Sequence, residues 1–148
     1  MKDYKEFQFG WLIFVVTIPT QILITYLYLN GLGDRPIELT GFVIASSVFI
    51  LVYLLFYGMA TKISDDVITI AFGIGLIRKR IALKRISMVE VIKTPWYYGY
   101  GIRFIPNGML YNISGMDGIE IKFNNTVRVV RIGTKDSIKL KQQIEKRL

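Results

Sequence analysis

Cysteine and histidine are both absent from the 148 residues of this chain. The first absence excludes disulfides, thiolate nucleophiles and thiolate metal sites. The second removes Ser–His and Cys–His catalysis, imidazole acid–base work and His-ligated metals. Acids are scarce as well, 11 against 19 Lys and Arg, and Asp65, Asp66, Asp117 and Glu120 lack the spacing of an EF-hand or any paired-carboxylate site. Gly73 and Gly75 lack the third glycine and following helix of a dinucleotide loop. These gaps predict a chain that is not an enzyme, with no catalytic residues, no metal, no cofactor and no small-molecule substrate.

Charge is also missing locally. Residues 9–29 and 39–60 contain no Asp, Glu, Lys or Arg, and each run holds 12 Leu, Ile, Val or Phe. At about 1.5 Å rise per residue, helices of that length reach about 30 Å, the hydrocarbon thickness of a bilayer. Each such residue favours insertion by roughly 0.3–0.6 kcal/mol, which outweighs Pro19, Gln21 and the scattered Thr and Ser. A transmembrane helical hairpin is predicted, with 30–38 as its connector. The flank of the first run mixes Lys2 and Lys5 with Asp3 and Glu6, and no small-residue cleavage site follows, so the segment reads as retained. Pro19 and Gln21 read as a packing kink, or as a polar spot on a solute path. Gly41 and Ala45, at small-xxx-small spacing, suit packing against the first helix or against another copy.

Sixteen of the 19 basic residues follow the second run, with seven of the 11 acids, giving that part a net charge of +9. Fused to a membrane hairpin, such a module suits anionic lipid headgroups better than nucleic acid. The positive-inside rule puts both termini in the cytoplasm and the connector outside, a multi-pass inner (plasma) membrane topology. Residues 62–66 then read as a short linker, dividing the chain into a hairpin over 1–61 and a cytoplasmic domain over 62–148.

From Val67 the apolar period becomes two. Strands are expected over 67–72, 76–83, 88–92, 102–105, 109–114, 119–123 and 126–132, with a hairpin turn at Pro106–Gly108 and a two-residue one at Asn124–Asn125. Thr134 reads as the N-cap of a final helix whose Leu140, Ile144 and Leu148 form one stripe. The expected fold is a membrane α-helical hairpin plus an α+β domain: a seven-stranded antiparallel barrel or sandwich with a C-terminal helix, closure being favoured because it removes exposed edges.

The segments Thr-Pro-Trp-Tyr-Tyr-Gly-Tyr-Gly-Ile-Arg (94–103), Gly-Met-Leu-Tyr-Asn-Ile-Ser-Gly (108–115), Gly-Ile-Glu-Ile (118–121) and Arg-Ile-Gly-Thr (131–134) resemble bacterial pleckstrin-homology-like domains of small membrane-anchored proteins. The resemblance covers about 68–148. It implies a pleckstrin-homology fold, a membrane-side location and self-association, and no catalytic residues. Lipid-binding members carry a Lys, a gap and a basic-x-Arg; Arg78 and Arg80 match the second part, while 68–76 supplies no Lys.

Two stretches stand out as binding candidates. Arg78, Arg80, Lys84 and Arg85 belong to a run without acids between Asp66 and Glu90, suited to an anionic leaflet. Trp96, Tyr97 and Tyr98 form an aromatic cluster suited to the headgroup zone, a partner-binding ledge, or packing at one end of the domain. The expected role is a membrane-anchored scaffold or adaptor whose partners are anionic lipid, another membrane protein or a second copy. The alternative is an accessory or pore-forming subunit of an oligomeric transporter or channel.

Overall fold

The computed structural model describes residues 3–148; Met1 and Lys2, the latter part of the charged flank read above, lie outside the described residues. The two charge-free runs form α1 (Trp11–Asn30) and α2 (Leu39–Phe56). Both are long and apolar enough to cross a membrane, and neither contains a buried residue. An apolar surface of that size is not left facing water in ordinary soluble monomers. Three layers hold the helices together. Tyr28 stacks on Phe42 with ring centroids 4.4 Å apart, the Gln21 amide donates to Ser46 Oγ at 3.0 Å, and Phe14 stacks on Tyr53 at 5.1 Å. Pro19 lies inside α1 on its exposed side. Gly41 is exposed, and a Cβ built there would meet only Ile37, so it does not serve the contact with α1.

The stretches flanking the helices depart from the expectation. Tyr4–Phe9 is a strand, β1, and Gly58–Ser64 is its antiparallel partner β2, in register from Tyr4↔Ile63 to Phe9↔Gly58. The expected linker 62–66 therefore begins inside a strand, and α2 ends at Phe56 rather than Ala60. The helical hairpin is thus inserted between two adjacent strands. β3 (Val67–Phe72) and β4 (Ile77–Ala82) complete a first sheet of order β1-β2-β3-β4.

The second sheet contains β5 (Ile86–Lys93), β6 (Gly101–Ile105), β7 (Gly108–Asn112), β8 (Asp117–Phe123) and β9 (Val129–Gly133), in the order β5-β8-β9-β7-β6. The described residues thus hold nine strands rather than seven, in two sheets that do not close into a barrel. The pairing is not wholly antiparallel, because β7 and β9 run parallel from Gly108↔Val129 to Tyr111↔Ile132. The residues after Phe123 form a connection over 124–128 rather than a two-residue hairpin, which brings β9 in beside β7.

The final helix α3 (Ser137–Glu145) is capped by Asp136, whose carboxylate accepts the Lys139 backbone N–H at 2.9 Å. Thr134, the expected cap, instead donates its hydroxyl to Glu6. Leu140 and Ile144 are fully buried, whereas Leu148 is exposed. They join one core that also takes Met59, Ile63, Ile68 and Phe72 from the first sheet and Ile121 and Ile132 from the second. Each such side chain contributes roughly 1.5–3 kcal/mol by leaving water. Ile13 of α1 and Phe56 of α2 pack on this same core.

Candidate functional site

The junction between helices and sheets has almost no slack. One residue, Gly10, separates β1 from α1, and one, Tyr57, separates α2 from β2. The Gly10 N–H donates to the Tyr57 carbonyl at 2.9 Å, extending the β1–β2 ladder up to the helices. The turn after β3 rests on the end of α2, where the Ile74 N–H donates to the Leu54 carbonyl at 3.0 Å. Beside it, the Gly73 N–H donates to the Gly58 carbonyl at 2.8 Å. The Ile74 bond satisfies a carbonyl in the last turn of α2.

β1 is tied in turn to the second sheet and α3. The Gln8 amide donates to the Gly133 carbonyl at 2.8 Å. The Glu6 carboxylate accepts the hydroxyls of Tyr4 and Thr134, each at 2.6 Å, and the Lys135 N–H at 2.8 Å. Burial, followed by this carboxylate, pushes the Tyr4 phenol well above its ordinary value. A Cβ on Gly10 would meet the Ile113 side chain, just beyond β7. The ends of β7 and β9 marked by Ile113 and Gly133 are therefore helix-proximal. The 124–128 connection, the Pro106–Asn107 turn and the 3-10 turn Leu83–Arg85 lie at the opposite, helix-distal end of the strands.

Register sorts the four basic candidates. β4 spans six residues, roughly 17 Å at strand rise, starting beside the turn that touches α2. Arg78 is one residue in from the helix-proximal end, and its guanidinium donates back to the Gly75 carbonyl. Arg80 follows on the same, outward face, whereas Lys84 and Arg85 lie in the helix-distal 3-10 turn. Strand pairing places Lys5, Lys62, Thr69 and Arg80 in one row across the first sheet, and Phe7, Ala60, Ala71 and Arg78 in the row nearer the helices. Phe7 and Phe9 are about half exposed, at 46% and 48%. This outward face therefore grades from aromatic to basic with distance from the helices. The four candidates do not form one patch.

The aromatic candidates lie in the 3-10 turn Trp96–Tyr98 between β5 and β6. Its entry is helix-proximal, since the Thr94 N–H donates to the Met116 carbonyl at 2.6 Å and Lys93 pairs with Asp117. Trp96 and Tyr97 are 77% and 67% exposed, which excludes the core-packing reading for both. Tyr98 is half-buried against the outer face of the second sheet, where the Arg131 guanidinium lies 5.9 Å from its ring centroid. Arg131 also pairs with Glu120 at 2.7 Å, directly opposite it on β8. This makes Tyr98 a brace for the second sheet.

A cleft of about 590 Å³ opens where the first sheet fails to close on the second. Lys79, Arg80, Arg85 and Arg128 line it, with no Asp or Glu among its lining residues. None of the four forms an ion pair among the described residues. Its apolar wall comes from Ile81, Met109 and Val130. Two of the four cations, Lys79 and Arg128, are not among the candidates singled out from the sequence, although Lys79 belongs to the same basic run. Lys79 could have been found, because alternation with Ile77 and Ile81 puts it on the inner face of β4. Arg128 carries no local signal; the β7–β9 pairing brings it there.

Compared with protein-family models, curated proteins and solved structures, the chain matches none of them.

Proposed function

We propose that this chain is a non-enzymatic, membrane-anchored adaptor. In this reading α1 and α2 cross the plasma membrane, both termini are cytoplasmic, and the two-sheet domain sits on the inner face as a scaffold for lipid and protein partners. The observation that carries it is the lack of a linker between bilayer-length helices and the paired strands β1 and β2. A domain joined in that way works from a fixed height and orientation. The basic surplus after α2 supports the cytoplasmic orientation. The sequence likeness to bacterial pleckstrin-homology-like domains points to the same membrane-side role.

Anionic lipid is assigned to the graded face of the first sheet. Phe7 and Phe9 lie nearest the bilayer, with Arg78 at the headgroup level, where a basic side chain adds about 1 kcal/mol. Trp96 and Tyr97 suit the same interfacial level, where amphipathic rings concentrate. Arg80, one row further from the helices, and Lys84 and Arg85, beyond the far end of β4, are assigned to partner binding instead.

One observation favours the transporter-subunit alternative: the Gln21 side-chain oxygen is buried between the helices without a hydrogen-bond partner. An unsatisfied polar atom at that depth suits a solute path rather than a purely structural anchor. Crosslinking in intact membranes followed by detergent extraction separates the readings. The adaptor should appear joined to a different membrane protein, and to no more than one further copy of itself. A closed ladder of self-crosslinked species ending at a fixed number would instead support the transporter subunit.

A further inference from the structure

We infer that the basic cleft takes an extended acidic segment of a partner protein, added as a strand along the free edge of β4. β4 is the last strand of its sheet, and its outer edge pairs with no strand among the described residues. Unpaired edges of this kind are templates for an incoming strand, whose main chain supplies hydrogen bonds while alternate side chains supply specificity. The cleft follows that edge from Lys79 to Ala82.

Charge selects the occupant. Four cations without a carboxylate neighbour repel one another and lower their mutual energy when an acidic chain lies between them. Ile81, Met109 and Val130 offer an apolar wall for the residues between the acids. Phe104, 89% exposed, stands opposite Met109 in register and extends that wall outward.

Two other occupants fit less well. The cleft is helix-distal, so headgroups of the protein's own bilayer do not reach it. A second copy lacks the segment: no two acids in the sequence lie two residues apart, and the one adjacent pair, Asp65 and Asp66, forms the β2–β3 turn, where the Asp66 carbonyl accepts the Leu83 N–H. The inference deepens the adaptor reading and rests on it for the partner being a protein. Its test is made in detergent, so failure here leaves the anchoring and its crosslinking test untouched.

The probe is a fluorescein-labelled peptide of alternating Glu and Val, titrated with the full chain and followed by fluorescence anisotropy. Saturable binding that weakens with salt is expected. The double variant Lys79→Glu/Arg128→Glu should weaken it by about tenfold or more, since exposed charges contribute modestly one at a time. All four cationic side chains are exposed, so circular dichroism of the variant should match that of the parent chain. Lys135→Glu/Lys139→Glu, an equal charge change beside α3, should leave binding unchanged. A peptide N-methylated along one edge should lose binding, because strand addition needs its N–H groups. Absence of binding overturns the inference, as does equal binding by the N-methylated peptide. Displacement by inositol hexakisphosphate together with indifference to N-methylation would identify a phosphate site instead.

Discussion

Gly108→Val should strongly destabilise the two-sheet domain while leaving the chain in the membrane fraction. A Cβ at Gly108 would lie 1.8 Å from the Val129 carbonyl oxygen, which is backbone and cannot swing aside. Val129 is fixed by its N–H bond to Asn107 at 2.9 Å, and Val130 and Ile132 beyond it are in the core. Relief requires β9 to separate from β7, which would break the only parallel pairing among the described strands. Such overpacking costs about 3 kcal/mol or more, a large share of the roughly 5–15 kcal/mol that stabilises a typical domain. In detergent, the midpoint of the thermal loss of sheet signal should drop by about 12 °C or more. The helical signal of α1 and α2 and the extraction behaviour should stay as in the parent chain, because these two helices pack on each other, while the short α3 melts with the sheets it packs on. An unchanged midpoint would show that the β7–β9 register is wrong.

Gly73→Val should detach the turn after β3 from the end of α2. Gly73 has φ +51°, a region that costs a side-chain-bearing residue about 1–2 kcal/mol. Its Cβ would also sit 2.1 Å from the Leu54 carbonyl oxygen, the acceptor for the Ile74 N–H. The two costs together reach about 3 kcal/mol, enough to lift the turn away. Hydrogen exchange at the Ile74 amide should then accelerate by roughly 100-fold, while the amides of the central strand β9 keep their protection. Uniform acceleration across both sheets would mean that Gly73 supports the whole fold. No change would mean that the turn does not rest on α2.

The contrast between these two glycines shows how much of the molecule could be read beforehand. The charge-free runs revealed α1 and α2, and period-two alternation revealed the seven strands from Val67 onward. β1 and β2 stayed hidden for different reasons. Gly58–Ala60, the first half of β2, continues the apolar run of α2, so no change of composition marks where helix becomes strand. Tyr4–Phe9 points Glu6 and Gln8 inward, against ordinary patterning. Thr134 and Lys135, more than 120 residues away, donate to the Glu6 carboxylate, and the Gln8 amide N–H donates to the Gly133 carbonyl, while Gln8 Oε1 is buried without a partner among the described residues. The open cleft was unreadable for a similar reason. Sequence favoured closure to remove edges, whereas the parallel β7–β9 pairing leaves β4 unmatched. Among the aromatics, composition could not separate Tyr98, held against the sheet by Arg131, from Trp96 and Tyr97, which the same 3-10 turn directs outward.

The cysteine-free sequence suits the most direct measurement, because spin labels can be placed on two introduced cysteines without removing any native thiol. Val16→Cys on the exposed side of α1 and Thr126→Cys in the helix-distal connection report the helix-to-sheet geometry. Pulsed electron–electron distance measurement in lipid nanodiscs should give one narrow distribution, no wider than label rotamers produce, because β1 and β2 carry the sheets directly from the helices. A broad or multi-peaked distribution would show a loosely tethered domain and contradict the account.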